Sequence, residues 1–128
     1  MTEASRLLLD THVFLWWRGE PSRLPLPVRD RIATADIVFV SAASAWEAGI
    51  KVALGRLDLP DTIEAGVLAS GFEKLPIAFS HAERAASLPL HHRDPFDRML
   101  IAQAQTEGLT LVTHDGLLKP YDVEILWA

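Results

Sequence analysis

Four acidic side chains are the residues of this chain whose types and positions could do chemistry. Asp10 follows an apolar run, Glu47 lies in the motif SAWE, Asp97 in DPFD and Asp115 in THDG. Two carboxylates about 4 Å apart near a protein surface repel by roughly 4 kcal/mol, so a cluster of them takes up protons or binds a cation. If the fold brings the four together, they predict a site for a divalent cation.

The ligand types available in the chain indicate which cation this would be. There is no cysteine, so zinc sites built on thiolates are excluded, and oxygen ligands favour Mg²⁺ or Mn²⁺. A bound Mg²⁺ or Mn²⁺ lowers the pKa of water and neutralises the charge that grows on a leaving oxygen. The chemistry predicted for such a cluster is hydrolysis of a phosphodiester bond.

Each acid also has a purely structural explanation. Asp10 and Asp94 stand directly before helical patterns, where an aspartate is a good N-cap. Ser44 and Glu47 match the S-x-x-E capping box. Asp97 falls in a first helical turn, where the helix dipole favours an anion. Taken singly, these acids therefore do not require a catalytic role.

Short apolar runs alternate with helical patterns along the chain. Strands are predicted at residues 6–10, 36–41 and 109–116, with a weaker one at 73–79 and a last one at 123–128. The predicted helices are 11–18, 26–35, 44–54, 60–70, 80–88 and 95–107. This alternation predicts one α/β domain over residues 1–128 with a mainly parallel sheet.

A parallel sheet would place all four acids at the same edge. The carboxyl ends of parallel strands and the amino ends of the helices between them share the edge where such folds bind ligands. Asp10 and Asp115 follow strands, and Glu47 lies near the start of the helix after the second strand. Asp97 lies in the first turn of a helix that runs antiparallel to the strand it precedes. Whether the strands are neighbours is not determined by the sequence.

Charge and hydropathy limit the class of protein. No apolar run approaches the roughly 20 residues that a membrane helix needs, and the start MTEASRLLLD lacks the apolar region of a signal peptide. We therefore expect a cytoplasmic protein that does not contact a membrane. The net charge of −5 does not by itself indicate a nucleic-acid binder. Basic residues within eight positions of an acid could still line the rim of the cluster: Arg18, Lys51, Arg93, Arg98 and Lys119.

At these motifs the sequence resembles the PIN domain, in particular the VapC-type ribonuclease toxins of prokaryotic toxin–antitoxin pairs. The similarity covers nearly the whole chain, with LLLDTH at the first strand, VSAASAWEAGIK at the second, and DPFDRMLIAQA followed by GLTLVTHD toward the end. The resemblance implies a three-layer α/β/α sandwich and an endoribonuclease that depends on Mg²⁺ or Mn²⁺. It also implies inhibition by a cognate antitoxin and a homodimer.

The resemblance assigns the four acids as metal ligands and catalytic residues. Asp10 matches the first acid of the family and Glu47 the second, on the helix after the second strand. Asp97 matches the third, and Asp115 the fourth, which the family also fills with asparagine. Asp94 is an additional acid, which we interpret as the helix cap or as a neighbour of the ligands.

Other polar residues near the acids are candidates for contact with metal-bound water or substrate. These candidates are Thr11, Ser41, Thr113, Arg98 and His114. Helix capping is the favoured interpretation for Ser41, while for Thr113 capping and a contact in the site are equally supported. An arginine at the position of Arg98 is more often solvated than bound to phosphate. His12 stands where the family usually has a small polar residue, so its contact with substrate stays open.

The histidines and tryptophans have structural interpretations. The five histidines include no i, i+4 pair, which argues against a histidine metal site, and we interpret them as surface or phosphate-contacting residues. Trp16, Trp17 and Trp46 lie in apolar helices and indicate core or a dimer interface rather than base stacking.

Two other functions fit part of the sequence. A receiver-like phospho-acceptor module shares the length, the acidic cluster and Mg²⁺, but it needs adjacent acids after its first strand, where Thr11 follows Asp10 here. It also needs an aspartate at the end of a central strand, whereas the second strand ends at Ser41. A catalytically silent PIN-fold binding module would be expected to lack some of the four acids. We therefore predict a metal-dependent endoribonuclease that cleaves single-stranded or structured RNA.

Overall fold

The computed structural model describes residues 5–128. The first four residues of the stretch MTEASRLLLD, which was considered above as a possible signal peptide, lie outside the described residues. Five strands form one sheet, in the order β3-β2-β1-β4-β5, and every neighbouring pair is parallel. The strands are β1 (Arg6–Leu9), β2 (Ile37–Ser41), β3 (Glu73–Leu75), β4 (Thr110–Thr113) and β5 (Ile125–Trp127). The predicted parallel sheet is confirmed.

Six α-helices connect and cover the strands. They are α1 (Thr11–Gly19), α2 (Leu26–Thr34), α3 (Ala42–Ala53), α4 (Ile63–Ala69), α5 (Phe79–Ser87) and α6 (Pro95–Glu107). Two short 3-10 turns, Pro21–Arg23 and Gly116–Leu118, complete the described elements. Within residues 5–128, no helix has the length and apolar character needed to span a membrane.

The two faces of the sheet carry separate apolar cores. Successive side chains of a strand point to opposite faces, so Leu7 and Leu9 of β1 lie in one core and Leu8 lies in the other. The first core includes residues of α1, α2 and α4, and the second is formed largely by α6. This arrangement is the three-layer α/β/α sandwich expected from the resemblance.

The boundaries differ from the predicted ones where local hydrogen bonds decide them. Ser41, not Ser44, is the N-cap of α3, and its Oγ accepts from the Ala43 N–H at 3.0 Å. The predicted capping box of Ser44 and Glu47 is therefore wrong, because both residues lie inside the helix. The weak strand at 73–79 shortens to three residues, since Pro76 cannot donate a backbone hydrogen bond to the sheet.

The first strand, β1, lies at the centre of the sheet. From β1 the chain moves outward to β2 and β3, then returns to the other side of β1 with β4 and β5. The order reverses between β1 and β4, and such a switch point opens a crevice at the carboxyl ends of the strands. The receiver-type order of 2-1-3-4-5 differs from this one, so the topology does not support the phospho-acceptor alternative.

Candidate active site

Asp10 lies at the centre of the sheet edge. Leu9 pairs with Val40 on one side and with Val112 on the other, and the Asp10 N–H extends this pairing by donating to the Val112 carbonyl at 3.0 Å. Asp10 Oδ1 accepts from the Val13 N–H at 2.8 Å, which makes Asp10 the N-cap of α1. The side chain is buried. Asp10 is therefore both a helix cap and a carboxylate at the switch point.

Thr113 connects Asp10 to Asp115. The Thr113 hydroxyl donates to Asp10 Oδ2 at 2.6 Å and accepts from the Asp115 N–H at 3.1 Å. Burial raises the pKa of the Asp10 carboxyl, while the hydrogen bonds from Thr113 and the Val13 N–H oppose that rise. Thr113 is itself fully buried, so this contact lies inside the site rather than at its surface.

Asp97 lies one turn into α6 with its carboxyl largely buried. Asp94 caps this helix, since its Oδ1 accepts from the Phe96 N–H at 2.8 Å and from the Asp97 N–H at 3.4 Å. Burial first, and then the nearby charge of Asp94, raise the pKa of Asp97 to about 7, and Asp10 adds to the rise. Asp97 thus lies within electrostatic reach of two other carboxylates.

Glu47 reaches the cluster from α3. Its side chain is largely buried, and its Oε2 accepts from Lys51 Nζ at 3.1 Å. The charge of Glu47 contributes to the raised pKa of Asp10, so the two carboxylates are electrostatically coupled. The Thr11 hydroxyl donates to Ser44 Oγ at 2.9 Å, which holds the start of α1 against the first turn of α3.

His92 joins the third and fourth acids and was missed by the sequence analysis. Its Nε2 lies 2.8 Å from Asp97 Oδ2 and 3.2 Å from Asp115 Oδ2, with only 15% of the side chain exposed. We predicted all five histidines to be surface or phosphate-contacting residues; His92 is largely buried among the acids, and its contact with phosphate stays a prediction. The prediction is wrong for His81, which is buried and bonded to Glu107. The one local signal for His92 was its position two residues before the cap Asp94.

The donor set fits a hard divalent cation. One potential ligand atom from each of His92, Asp94 and Asp97 lies within 4.8 Å of the others. This triad differs from the predicted set of four acids. Those acids are linked by the electrostatic contacts of Asp10, by the hydrogen bonds of Thr113, and by His92, which is hydrogen-bonded to Asp97 and lies 3.2 Å from Asp115. Burial and then the charge of Asp94 raise the pKa of Asp97 to about 7, so holding this carboxylate ionised is costly in the metal-free protein. A bound cation would supply the missing positive charge.

Comparison with known proteins agrees with this geometry. The family model described as the PIN domain matches residues 7–123. The chain belongs to the PIN-domain family. It is 34% identical over 118 residues to Ribonuclease VapC22 of Mycobacterium tuberculosis, a match that covers 90% of this chain and 91% of that protein.

Two solved structures share the fold of this PIN domain. VapBC2 from Rickettsia felis, bound to a DNA fragment from its promoter, matches with a TM-score of 0.71 at 12% identity, covering 94% of this chain and 97% of that one. VapBC-5 from Mycobacterium tuberculosis, a member of the VapBC family of toxin–antitoxin systems, matches with a TM-score of 0.61 at 23% identity, covering 97% and 99%.

Arg98 has a structural role in this PIN domain. Its guanidinium donates to backbone carbonyls in the last turn of α5 and in the segment that joins α5 to α6, and it contacts the Tyr121 hydroxyl. The carbonyl partners are Ala85 at 2.9 Å, Leu88 at 3.0 Å, Pro89 at 3.0 Å and His92 at 3.3 Å. With its donors bound to the protein, Arg98 is not available to hold RNA phosphate. The prediction of a substrate contact at Arg98 is therefore wrong.

The remaining polar candidates lie around the edge of the acids. His114 is exposed, and its Nδ1 lies 2.6 Å from the Ala128 carbonyl. Its ring meets Trp16 edge to face, with the ring centroids 5.6 Å apart. His12 is exposed and has its ring centroid 6.3 Å from Trp16. Contact of either histidine with substrate remains a prediction.

A cleft of about 540 Å³ opens beside the acids, between α1 and the segment that joins α3 to α4. Four basic residues line it, two of them predicted for the rim: Arg18, Arg23, Lys51 and Arg56. The Arg23 guanidinium stacks over the Trp16 ring, 4.7 Å from its centroid. None of the four acids lines the cleft, but Lys51, which does, also binds Glu47.

Replacing Thr113 with valine tests the connection between Asp10 and Asp115. Valine keeps the shape but removes the hydroxyl, which leaves the Asp115 N–H and Asp10 Oδ2 without this partner. We expect the free energy of unfolding to fall by about 1–3 kcal/mol, as measured by urea denaturation. Thr113→Ser keeps the hydroxyl, so its free energy of unfolding should fall by less. A larger loss of stability in Thr113→Ser than in Thr113→Val would show that the methyl group, not the hydroxyl, carries the effect.

Proposed function

We propose that this PIN-domain protein is a metal-dependent endoribonuclease and the toxin of a toxin–antitoxin pair. The convergence of Asp10, Glu47, Asp97 and Asp115 at the switch point of the sheet carries the proposal. The relation to Ribonuclease VapC22 at 34% identity supports RNA as the substrate. Retention of all four acids argues against a catalytically silent binding module.

The four acids are the residues that would hold Mg²⁺ or Mn²⁺, directly or through water. The chemistry supplied by the bound ion is activation of water and stabilisation of the charge on the phosphate. Thr113 orients the Asp10 carboxylate, and Lys51 holds Glu47 by a hydrogen bond of 3.1 Å. Asp94 keeps the start of α6 in place, which aims Asp97 at the cluster. The chain therefore supplies ligands and their orientation rather than a nucleophile.

The cleft beside the acids supports a path for single-stranded RNA. Arg18 pairs with Asp61 at 3.9 Å and Arg23 with Glu20 at 4.0 Å, and both pairs are substantially exposed. Exposed ion pairs contribute little stability, so these arginines can exchange a carboxylate for a phosphate at small cost.

Two protein partners belong to the proposal. The fold neighbour VapBC-5 is a member of a toxin–antitoxin family, which supports a cognate antitoxin as the inhibitor of this chain. A homodimer is supported by an exposed apolar stripe along α3 and its C-terminal cap, formed by Trp46, Ile50 and Leu54. Trp46 is 65% exposed, so it does not lie in the core. Of the two places predicted for Trp46, core or dimer interface, we propose the interface.

RNA cleavage by the purified protein tests the proposed function. Structured and unstructured RNAs are incubated in Mg²⁺, in Mn²⁺ or in EDTA, with Asp10→Asn as the site variant. Asparagine can still cap α1 but weakens the metal site, so we expect cleavage to fall by at least about 100-fold. Asp30→Asn, an exposed change on α2, should leave the rate unchanged.

The outcomes separate the mechanism from its alternative. Cleavage that survives EDTA or the Asp10→Asn change would contradict catalysis by metal and carboxylates. Failure of the wild-type protein to cleave any RNA in either metal would instead favour the catalytically silent binding module.

A further inference from the structure

His92 makes a contact in the site that the acids alone do not explain. Its Nε2 lies between two carboxylate oxygens, 2.8 Å from Asp97 Oδ2 and 3.2 Å from Asp115 Oδ2. The Nε2–H group is hydrogen-bonded to Asp97, while Asp115 Oδ2 lies within ion-pair distance of Nε2 without hydrogen-bond geometry. Two carboxylates held this close repel each other, and a hydrogen-bond donor between them offsets part of that repulsion.

The second ring nitrogen indicates which nitrogen carries the hydrogen. His92 Nδ1 accepts from the backbone N–H of Arg93 at 3.1 Å. An accepting nitrogen carries no hydrogen, so the hydrogen-bond partners assign the ring hydrogen to Nε2. Nε2 therefore donates to Asp97, with Asp115 Oδ2 close by. In this tautomer neither ring nitrogen is free to bind a metal ion, because Nε2 carries the hydrogen and the Nδ1 lone pair accepts from Arg93. Of the group His92, Asp94 and Asp97, only the two carboxylates could therefore be ligands.

The loop that carries His92 is held by two residues outside the acid cluster. The Tyr121 hydroxyl accepts from the His92 N–H at 2.9 Å and donates to the Pro89 carbonyl at 2.8 Å. The Arg98 guanidinium binds carbonyls on both sides of this point, at Leu88 and His92. These bonds restrict the position of the His92 imidazole. A residue that orients other side chains must itself be held in place in this way.

We propose that His92 is a positioning residue of the metal site: its Nε2–H holds the Asp97 carboxylate, and its ring fixes the approach of Asp115 Oδ2, which lies 3.2 Å from Nε2. The inference rests on the proposed function and extends it by a residue that acts through the acids rather than on the substrate. Partners that orient metal ligands commonly contribute about 10- to 100-fold to metal affinity or activity. His92 supplies this contribution without binding the metal.

Mn²⁺ affinity, measured by isothermal titration calorimetry, tests the proposal apart from catalysis. We expect His92→Ala to weaken Mn²⁺ binding by about 10-fold or more. His92→Gln, whose amide N–H can replace the donor, should recover part of the loss. His91→Ala is the matched control, because His91 lies in the same loop with its ring against Tyr121, 5.0 Å between centroids. The control should bind Mn²⁺ as the wild type does.

Two spectroscopic measurements test the geometry directly. Long-range ¹H–¹⁵N correlation spectra of the wild-type protein in EDTA should show the His92 ring with its hydrogen on Nε2, and this signal should be absent in His92→Gln. Pulsed electron paramagnetic resonance of the Mn²⁺-bound protein should show no coupling to a His92 ring nitrogen. Both remain informative if His92→Ala fails to fold.

Three results would overturn the inference. Unchanged or tighter Mn²⁺ binding by a folded His92→Ala variant would show that the imidazole does not support the ligands. Hydrogen on Nδ1, or a nitrogen coupling to Mn²⁺ that disappears in His92→Gln, would make His92 a ligand instead. If the wild type neither binds Mn²⁺ nor cleaves RNA, the proposed function fails first, whereas loss of binding in Asp97→Asn but not in His92→Ala rejects only the role of His92.

Discussion

Replacing Asp97 with asparagine is expected to abolish RNA cleavage and to make the metal-free protein more stable. The loss of a carboxylate ligand should lower the cleavage rate by at least about 100-fold. The gain in stability follows from the cost of holding this carboxylate ionised in the folded state. Burial and the charges of Asp94 and Asp10 raise the pKa of Asp97 from 3.8 to about 7, and asparagine avoids that cost.

The pH dependence of this stability difference has a definite sign. Because the folded pKa of Asp97 lies above its unfolded value, the folded protein binds the proton more tightly and loses stability as pH rises from about 4 to about 7. Above pH 7 the full cost is present, on the order of 2–4 kcal/mol for a shift of this size. Below pH 4 the cost disappears, so the two proteins should then be nearly equal in stability.

Urea denaturation of both proteins in EDTA at pH 5 and pH 8 measures this difference. Asp97→Asn should exceed the wild type in free energy of unfolding by more at pH 8 than at pH 5. Asp30→Asn is the matched control on an exposed part of α2 and should show no such change. A difference that stays constant with pH, or that favours the wild type at pH 8, would contradict the raised pKa.

Replacing Arg98 with alanine should destabilise the protein more than any other surface-facing change at this edge. The guanidinium binds carbonyls of Ala85, Leu88 and Pro89, which would lose their donor together. We expect a loss of about 2–4 kcal/mol in the free energy of unfolding. Arg98→Lys should recover little of it, because one ammonium group cannot match the spread of donors on a guanidinium.

Arg93→Ala is the control for this prediction, since Arg93 is exposed and lies five residues earlier in the same segment. Its free energy of unfolding should stay within about 0.5 kcal/mol of the wild type. Hydrogen exchange should also show faster exchange at the His91 and His92 amides in Arg98→Ala, because the loop loses its anchor. Equal stabilities for the Arg98 and Arg93 variants would show that the observed hydrogen bonds carry no net stabilisation.

Much of the architecture is encoded in local sequence and could be predicted from it. Runs such as Arg6–Leu9 are apolar without interruption because their strands are buried on both faces, and Asp10 and Asp94 cap helices through bonds to residues two or three positions away. The predicted capping box at Ser44 was wrong because a second local cap competed with it. Ser41 offered an equally good cap three residues earlier, and the hydroxyl of Thr11 engages Ser44.

By itself, the sequence determined the strands, most helix starts and the placement of the acids at strand ends, since hydrophobic periodicity and capping act over a few residues. Only the tertiary structure decided which strands are neighbours, and with that the bond from Thr113 to Asp10, which spans 103 positions. The same holds for His92 and Arg98, whose partners lie in other segments or in loops without periodic pattern. Such contacts depend on how the layers pack, and that packing results from the whole chain rather than from any short stretch of it.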